Sequence, residues 1–216
     1  MTDAYAPPAV PPVIVHADAQ VVVVDKPAGL LTVPGRGDDK ADCLFARLAV
    51  RFPSLKLVHR LDRDTSGLIV FALKPSAQVH LGRQFEERAV DKRYVARVWG
   101  VPAGGKGRID LPLTVDWPNR PRQKVCHETG RPALTDWRVM SDDGATARVQ
   151  LKPRTGRSHQ LRVHMATIGH PILGDSLYAD WQARAAAARL LLHAERLGFA
   201  HPESGARLAF TSPAPF

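Results

Sequence analysis

The residues GLIVFAL, Gly67 to Leu73, form an unbroken apolar run of strand length. A strand without polar alternation has no face to offer water, so it needs strands along its edges and apolar layers on both faces. Lys74-Pro75-Ser76 ends the run, and the helix predicted from Ser76 to about Arg88 carries Ala77, Leu81 and Phe85 at helical spacing. On its other side the run is preceded by HRLDRDTS, His59 to Ser66. A carboxylate and several cations therefore stand at the mouth of a buried strand.

The rest of the chain reads as more strand than helix. VVVVDKPAGLLTV, Val21 to Val33, predicts strand, turn, strand; PGRGDDK is a loop, and Asp42 offers a cap for a short helix through LFARLAVRF. KRYVARVWG alternates, with Tyr94, Ala96 and Val98 on one face and Val95, Arg97 and Trp99 on the other. Strands are expected at ALTDWRVM and ATARVQLKP. A helix follows in SHQLRVHMATIG, where Leu161, His164, Met165 and Ile168 share a face and Gly169 and Pro171 end the element. A second helix at DWQARAAAARL and strands at LLLHAERLGFAHP and RLAFTS complete the reading. Strands in groups, not in strict alternation with helices, predict an α+β fold with a largely antiparallel sheet. PPAVPP, Pro7 to Pro12, reads as part of an extended arm over residues 1–12, and residues 13–216 read as one domain; 216 residues with 44% hydrophobic content suffice for a sizeable core.

Charge narrows the partners. Thirty Lys and Arg against twenty-one Asp and Glu give a net charge of +9, which points to an anionic partner, nucleic acid first, with a charge that serves solubility alone as an equal alternative on this count. The segment GVPAGGKGRIDLPLTVDWPNRPRQKVCHETGRP combines Gly, Pro and basic residues in a way that suits exposed hairpins or loops touching a large polyanion. Cys43 and Cys126 lie in no CxxC pattern, so neither a disulfide framework nor a structural zinc site is expected. The first residues lack a signal-peptide pattern and no apolar run reaches membrane-spanning length, so the expectation is a cytoplasmic protein with no membrane partner.

Asp62 admits four readings on residue type alone. It could tie down Arg60 or Arg63; it could bind a metal with His59 and Asp64, though further acidic partners are missing nearby; it could be a general acid or base; or it could be a carboxylate nucleophile held ionised by a guanidinium. Thr65 and Ser66 can hydrogen-bond the loop backbone, and Gly67 permits a close approach or a dihedral other residues avoid. Further along, RTGRSHQLRVH delivers Arg157 at the start of a helix, where a cation is electrostatically misplaced and needs a counter-charge. That counter-charge could be a phosphate, a surface carboxylate or Asp62.

HRLDRDTSGLIVFAL resembles the central motif of the RluA-type pseudouridine synthases. DKPAGLLTVPG, KRYVARVWG, RTGRSHQLRVHMATIGHPILGD and LLLHAERLGFAHP are similar to four further motifs of that family, in the family's order and over nearly the whole chain. The resemblance implies the pseudouridine synthase catalytic fold, a mixed but mostly antiparallel central sheet flanked by helices and loops, with an active-site cleft across the sheet and no S4-like domain. It implies an isomerase that needs no cofactor and no metal and acts as a monomer on structured RNA. The short chain and the DWPNRPRQKVCHETGRPA insert resemble the dual-specificity branch, whose substrates are 23S rRNA and tRNA anticodon stem-loops. Residue by residue, it implies Asp62 as the catalytic carboxylate, Tyr94 stacked on the target base, Arg157 paired with Asp62, Arg60 filling the space of a flipped nucleotide and His59 helping to place the motif. By charge alone, Arg120, Arg122 and Lys124 are expected to meet RNA phosphates. Two rivals remain at this point. A non-catalytic RNA-binding module would tolerate loss of Asp62, and a metal-dependent nuclease would cut RNA in a chelator-sensitive way.

Overall fold

The structure, a computed structural model, describes residues 5–216. In chain order its elements are β1 (Val13–Ala17), β2 (Val21–Lys26), α1 (Leu44–Ala49), β3 (Lys56–Leu57), β4 (Ser66–Ala72), α2 (Pro75–Glu86), β5 (Asp91–Trp99), β6 (Lys106–Asp110), β7 (Leu113–Val115), β8 (Gln123–Val125), β9 (Leu134–Asp142), β10 (Thr146–Pro153), α3 (Gln160–Thr167), α4 (Trp181–Ala185), β11 (Leu192–Ala200) and β12 (Arg207–Thr211). They fall into two compact units, one running to Lys92 and resuming over Ala194–Pro215, the other spanning Arg93–His193. The fold is α+β with mostly antiparallel pairing, as the patterning predicts. An isolated bridge between Gly100 and Thr146 is parallel.

In the first unit the strand order is β1-β2-β4-β11, with β12 also paired to β11 and β3 to β4. β2 runs antiparallel to β4, from Val21 opposite Ala72 to Lys26 opposite Gly67. All seven β4 residues are buried, as an unbroken apolar run demands. Leu68, Val70 and Ala72 pack with Val21 and Val23 of β2 and with Ala77 and Leu81 of α2, whose helical spacing brings them over the same face. Truncating Leu81 to Ala would cost about 2–5 kcal/mol by opening a cavity there. Gly67 is where the preceding loop becomes strand. Its φ is 108°, and a Cβ would lie 2.4 Å from the Ala194 carbonyl oxygen of β11. Both reasons for a glycine therefore apply at once.

The second unit contains β5, β10, β9 and β6 in that order. Val149 lies opposite Ala96 and Leu151 opposite Tyr94. The inward residues Ala147, Val149 and Leu151 form a core with Leu161 and Met165 of α3. β7 and β8 form a separate hairpin.

Three local expectations change. GLLTV is not a strand, because the Lys26 ammonium draws in the carbonyls of Pro27 and Leu30 and curls the segment. The carbonyls of Leu31 and Thr32 then receive the amides of Leu44 and Phe45. Cys43, not Asp42, caps α1: its sulfur accepts from the Ala46 amide, while Asp42 forks onto Arg47. The alanine-rich helix stops at Ala185, since Leu190 and Leu192 must enter the core of this unit. Residues 5–12 have no regular structure but are fastened: Arg47 donates to the carbonyls of Pro8 and Val10, and Tyr5 donates to that of Asp42. The first four residues of the expected arm lie outside the described residues.

Candidate active site

Asp62 lies in the turn between β3 and β4, in the first unit, with its side chain half-buried. The turn closes on itself through the Thr65 amide, which donates to the Asp62 carbonyl at 3.3 Å. On either side of Asp62 the backbone is held from below. Thr32, 3% exposed, donates its hydroxyl to the Leu61 carbonyl at 2.7 Å and accepts from the Leu61 amide at 3.2 Å. Lys26, fully buried at the end of β2, donates to the Arg63 carbonyl at 2.9 Å, and to Pro27 and Leu30 at 2.9 and 2.7 Å. Three ammonium protons thus meet three carbonyls. Burial pulls the Lys26 pKa down to about 7 against the opposing pull of Asp64, Asp62 and Asp25.

The neighbouring charges sort themselves locally. Arg63 forks onto Asp64 at 2.8 and 3.2 Å, so the like-charge carboxylate two residues from Asp62 carries its own counter-ion. Arg60 is exposed. His59 turns inward: its ring lies 4.4 Å from Phe85, and its Nε2 accepts the Val70 amide at 3.2 Å. Burial, then the charge of Lys92, lowers its pKa to about 3, in keeping with a nitrogen that must stay unprotonated to accept. His59 thereby pins the loop to β4. Among the described residues no group of three or more His, Cys, Asp or Glu side chains is placed to hold a metal ion.

Tyr94 and Arg157 belong to the second unit. Tyr94 is on β5, half-buried against the core. Arg157 lies in the turn between β10 and α3, a turn organised by a side chain that sequence reasoning passed over. Gln160, 3% exposed, accepts at Oε1 from the Arg157 amide (3.0 Å) and the Thr155 hydroxyl (2.7 Å). Its Nε2 donates to the Leu134 carbonyl and the Thr135 hydroxyl, both at 3.0 Å. The chain of bonds continues. His164 Nε2 faces the Leu111 carbonyl, which can only accept, so its Nδ1 takes the Thr135 proton. Burial keeps this imidazole below its ordinary pKa. The Arg157 side chain itself donates from Nε to the Pro132 carbonyl at 3.1 Å.

Arg120, Arg122 and Lys124 are all exposed on the β7–β8 hairpin and its connection. Trp117, 67% exposed, has the Arg120 guanidinium 4.6 Å from its ring centre. A buried ion pair also escaped the sequence reading: Arg162 and Asp175 meet at 2.8 and 2.6 Å within this unit. The signal for such groups was present, as charged residues in or at the end of apolar runs, in VVVVDK and QLRVHM.

The model of the RNA pseudouridylate synthase family matches residues 20–167, a span that includes Lys26, Asp62, Tyr94, the hairpin and Arg157. The chain belongs to that family. Among its relatives are the dual-specificity RNA pseudouridine synthase RluA of Escherichia coli K12, 55% identical over 216 residues and covering 98% of both chains, and that of Yersinia pestis, 53% identical over 205 residues, covering 94% of this chain and 100% of the relative. Among solved structures, human RNA pseudouridylate synthase domain containing 1 superposes with a TM-score of 0.80 at 30% identity, covering 98% of this chain and 87% of that one. Human RNA pseudouridylate synthase domain containing 4 gives 0.76 at 28% identity over 94% and 88%. As a pseudouridylate synthase the chain is an isomerase acting on RNA, which accounts for its surplus of basic residues.

Proposed function

We propose that this pseudouridine synthase has dual specificity, converting uridines in both 23S rRNA and tRNA anticodon stem-loops, and that Asp62 is its catalytic carboxylate. The observation that carries the Asp62 assignment is the double anchoring of its turn, by Thr32 on one side and Lys26 on the other. A reacting carboxylate gains from a backbone that does not move beneath it. The 55% identity to a dual-specificity relative supports the substrate pair.

In this reading the target uridine is flipped out of its stack, at a cost of a few kcal/mol that is smaller in a loop than in a duplex. Arg60 fills the vacated space. Asp62 starts the reaction at the base or the sugar; the C1′–N1 bond breaks, the uracil turns, and a C1′–C5 bond forms. The C5 proton then leaves, with Tyr94 stacked on the base as the group to receive it. N1 takes up a proton in place of the one that C5 gives up and Asp62 is freed, so the product is an isomer of the substrate and the chemistry asks for no cofactor and no metal. Arg157 supplies the counter-charge that keeps Asp62 ionised, and His59 holds the motif from behind. Arg120, Arg122 and Lys124 take the phosphates, and the protein works as a cytoplasmic monomer.

The experiment uses tRNA and 23S rRNA fragment transcripts labelled with tritium at uridine C5. Wild-type protein should release tritium from both without changing RNA length and without sensitivity to a chelator, and Asp62→Asn should release none. Tritium release by Asp62→Asn ends the catalytic assignment; release from one transcript class alone ends the dual specificity.

A further inference from the structure

One phenol joins the hairpin that carries Arg122 and Lys124 to the turn that carries Arg157. The Tyr178 hydroxyl accepts the backbone amide of Gln123 on β8 at 2.8 Å and lies 2.7 Å from His159 Nδ1. Gln123 stands between Arg122 and Lys124 in the chain; His159 is two residues beyond Arg157 and caps α3. His159 holds a left-handed backbone with φ of 54°, a conformation uncommon outside glycine, though less so for Asn, Asp and His, and one held in place where its surroundings enforce it. The bond to Tyr178 is such an enforcement.

Tyr178 is itself fixed. The buried Asp175 carboxylate accepts the amides of Leu177 and Tyr178 at 2.9 and 3.1 Å while it is forked by Arg162. The phenol ring lies 5.2 Å from the Arg162 guanidinium and 5.5 Å from that of Arg122. One neighbour thus anchors the ring to the unit's interior and the other belongs to the exposed hairpin. On the far side of His159, Gln160 holds the Arg157 amide. A continuous path of hydrogen bonds and one peptide linkage runs from the β8 backbone to Arg157.

We propose that Tyr178 is a positioning residue that makes the placement of Arg157 depend on how the β7–β8 hairpin is engaged by RNA. Phosphates drawn onto Arg122 and Lys124 fix the Gln123 amide, and through the Tyr178 hydroxyl they fix His159 and the turn beside it. An RNA that misses the hairpin leaves the Arg157 turn less constrained, so the path turns substrate shape into rate. This rests on the functional reading above, in which the hairpin meets RNA and Arg157 serves Asp62.

A double-mutant cycle tests it, with kcat and KM measured on a tRNA anticodon stem-loop for wild type, Arg122→Ala, Tyr178→Phe and the double variant. Removing Arg122 should raise KM and also lower kcat about tenfold when Tyr178 is present, whereas in the Tyr178→Phe background the same removal should change kcat by less than about twofold. A phenol that merely braces the fold would lower the melting temperature yet leave the two kcat losses to multiply, and multiplied losses overturn the proposal. An Arg122→Ala variant with unchanged KM overturns it as well. Should Tyr178→Phe fail to fold, His159→Asn cuts the same bond from the other end with a residue that tolerates the left-handed backbone, and the same cycle is read there. Asp62→Asn run alongside separates the causes: tritium release by that variant defeats the catalytic reading, while its loss together with multiplied kcat effects defeats the coupling alone.

Discussion

Replacing Lys26 by Met separates what a buried ammonium does for stability from what it does for the Asp62 turn. Lys26 makes three hydrogen bonds to carbonyls and is fully buried. At ~1.5–3 kcal/mol for each bond from a charged donor, their loss alone would be severe. Against it stands the cost of keeping the charge out of water: a pKa lowered from 10.5 to about 7 corresponds to ~5 kcal/mol set against the charged form. Met removes that cost and fills similar volume, so the net loss should be only about 2 kcal/mol. Activity should fall much further. The Arg63 carbonyl loses its anchor, and a displacement of about an ångström beside a reacting group costs on the order of a hundredfold in rate. Urea denaturation and single-turnover tritium release measure the two quantities on one preparation. The pH dependence supplies a further check: between pH 7 and 10.5 the unfolded chain holds a proton that native Lys26 has shed, so wild-type stability should rise with pH relative to Lys26→Met. The rise ends near pH 10.5, where the unfolded chain sheds that proton too. A Lys26→Met protein with unaltered kcat would refute the positioning role, and one with no relative change in stability across that window would refute the burial argument.

His59 gives the same sign in a lower pH window: with a native pKa of about 3 against 6.5 unfolded, stability should fall as pH drops from 6.5 toward 3, by at most ~1.4 kcal/mol per pH unit. His59→Gln, which keeps an acceptor for the Val70 amide, should flatten that fall in denaturation curves at pH 7 and pH 4; parallel curves would contradict it. Gly67→Ala places a Cβ 2.4 Å from a backbone oxygen at a φ of 108°, and should lower the melting temperature by about 10 °C or more; a shift within about 2 °C would show that β4 and β11 separate cheaply. Combining Arg122→Ala with Lys124→Ala should reduce the slope of log affinity against log salt by about 1 for each lost phosphate contact, and an unchanged slope would remove the hairpin from the RNA surface.

The features legible in the sequence are those set by apolar pattern. GLIVFAL is buried from Gly67 to Ala72 because nothing in it can face water, and α2 covers it because Ala77 and Leu81 recur at helical spacing. The alternation in ATARVQLKP likewise places Ala147, Val149 and Leu151 inward. What escaped the pattern is the non-local polar bonding. GLLTV has strand composition, yet one ammonium from β2 takes its neighbours' carbonyls and bends it away. No window of residues reports that Gln160 will meet Leu134 and Thr135, some twenty-five positions earlier. Asp62, Arg60, Tyr94 and Arg157 were nameable because their motifs are short and contiguous. Lys26, Thr32 and Gln160 lie in such motifs too, but they and Tyr178 act through bonds that cross loops, and no local pattern names the partner.

Each unit solves the same problem by the same physical means. A turn that carries a charged side chain toward a substrate must leave secondary structure, and its backbone then lacks the partners that a sheet or helix supplies. In the first unit a buried cation and a hydroxyl satisfy the carbonyls on either side of Asp62. In the second a buried amide and a phenol hold the residues around Arg157. In each set one member sits on an element whose apolar face is committed to a core, Lys26 on β2 and Gln160 on α3, so its position is inherited from packing and not from the turn itself. Apolar side chains at those sites would pack as well but could not bond the turn. A buried polar group here is retained for where it holds the backbone, which is why the stability lost on replacing Lys26 should be small beside the activity lost.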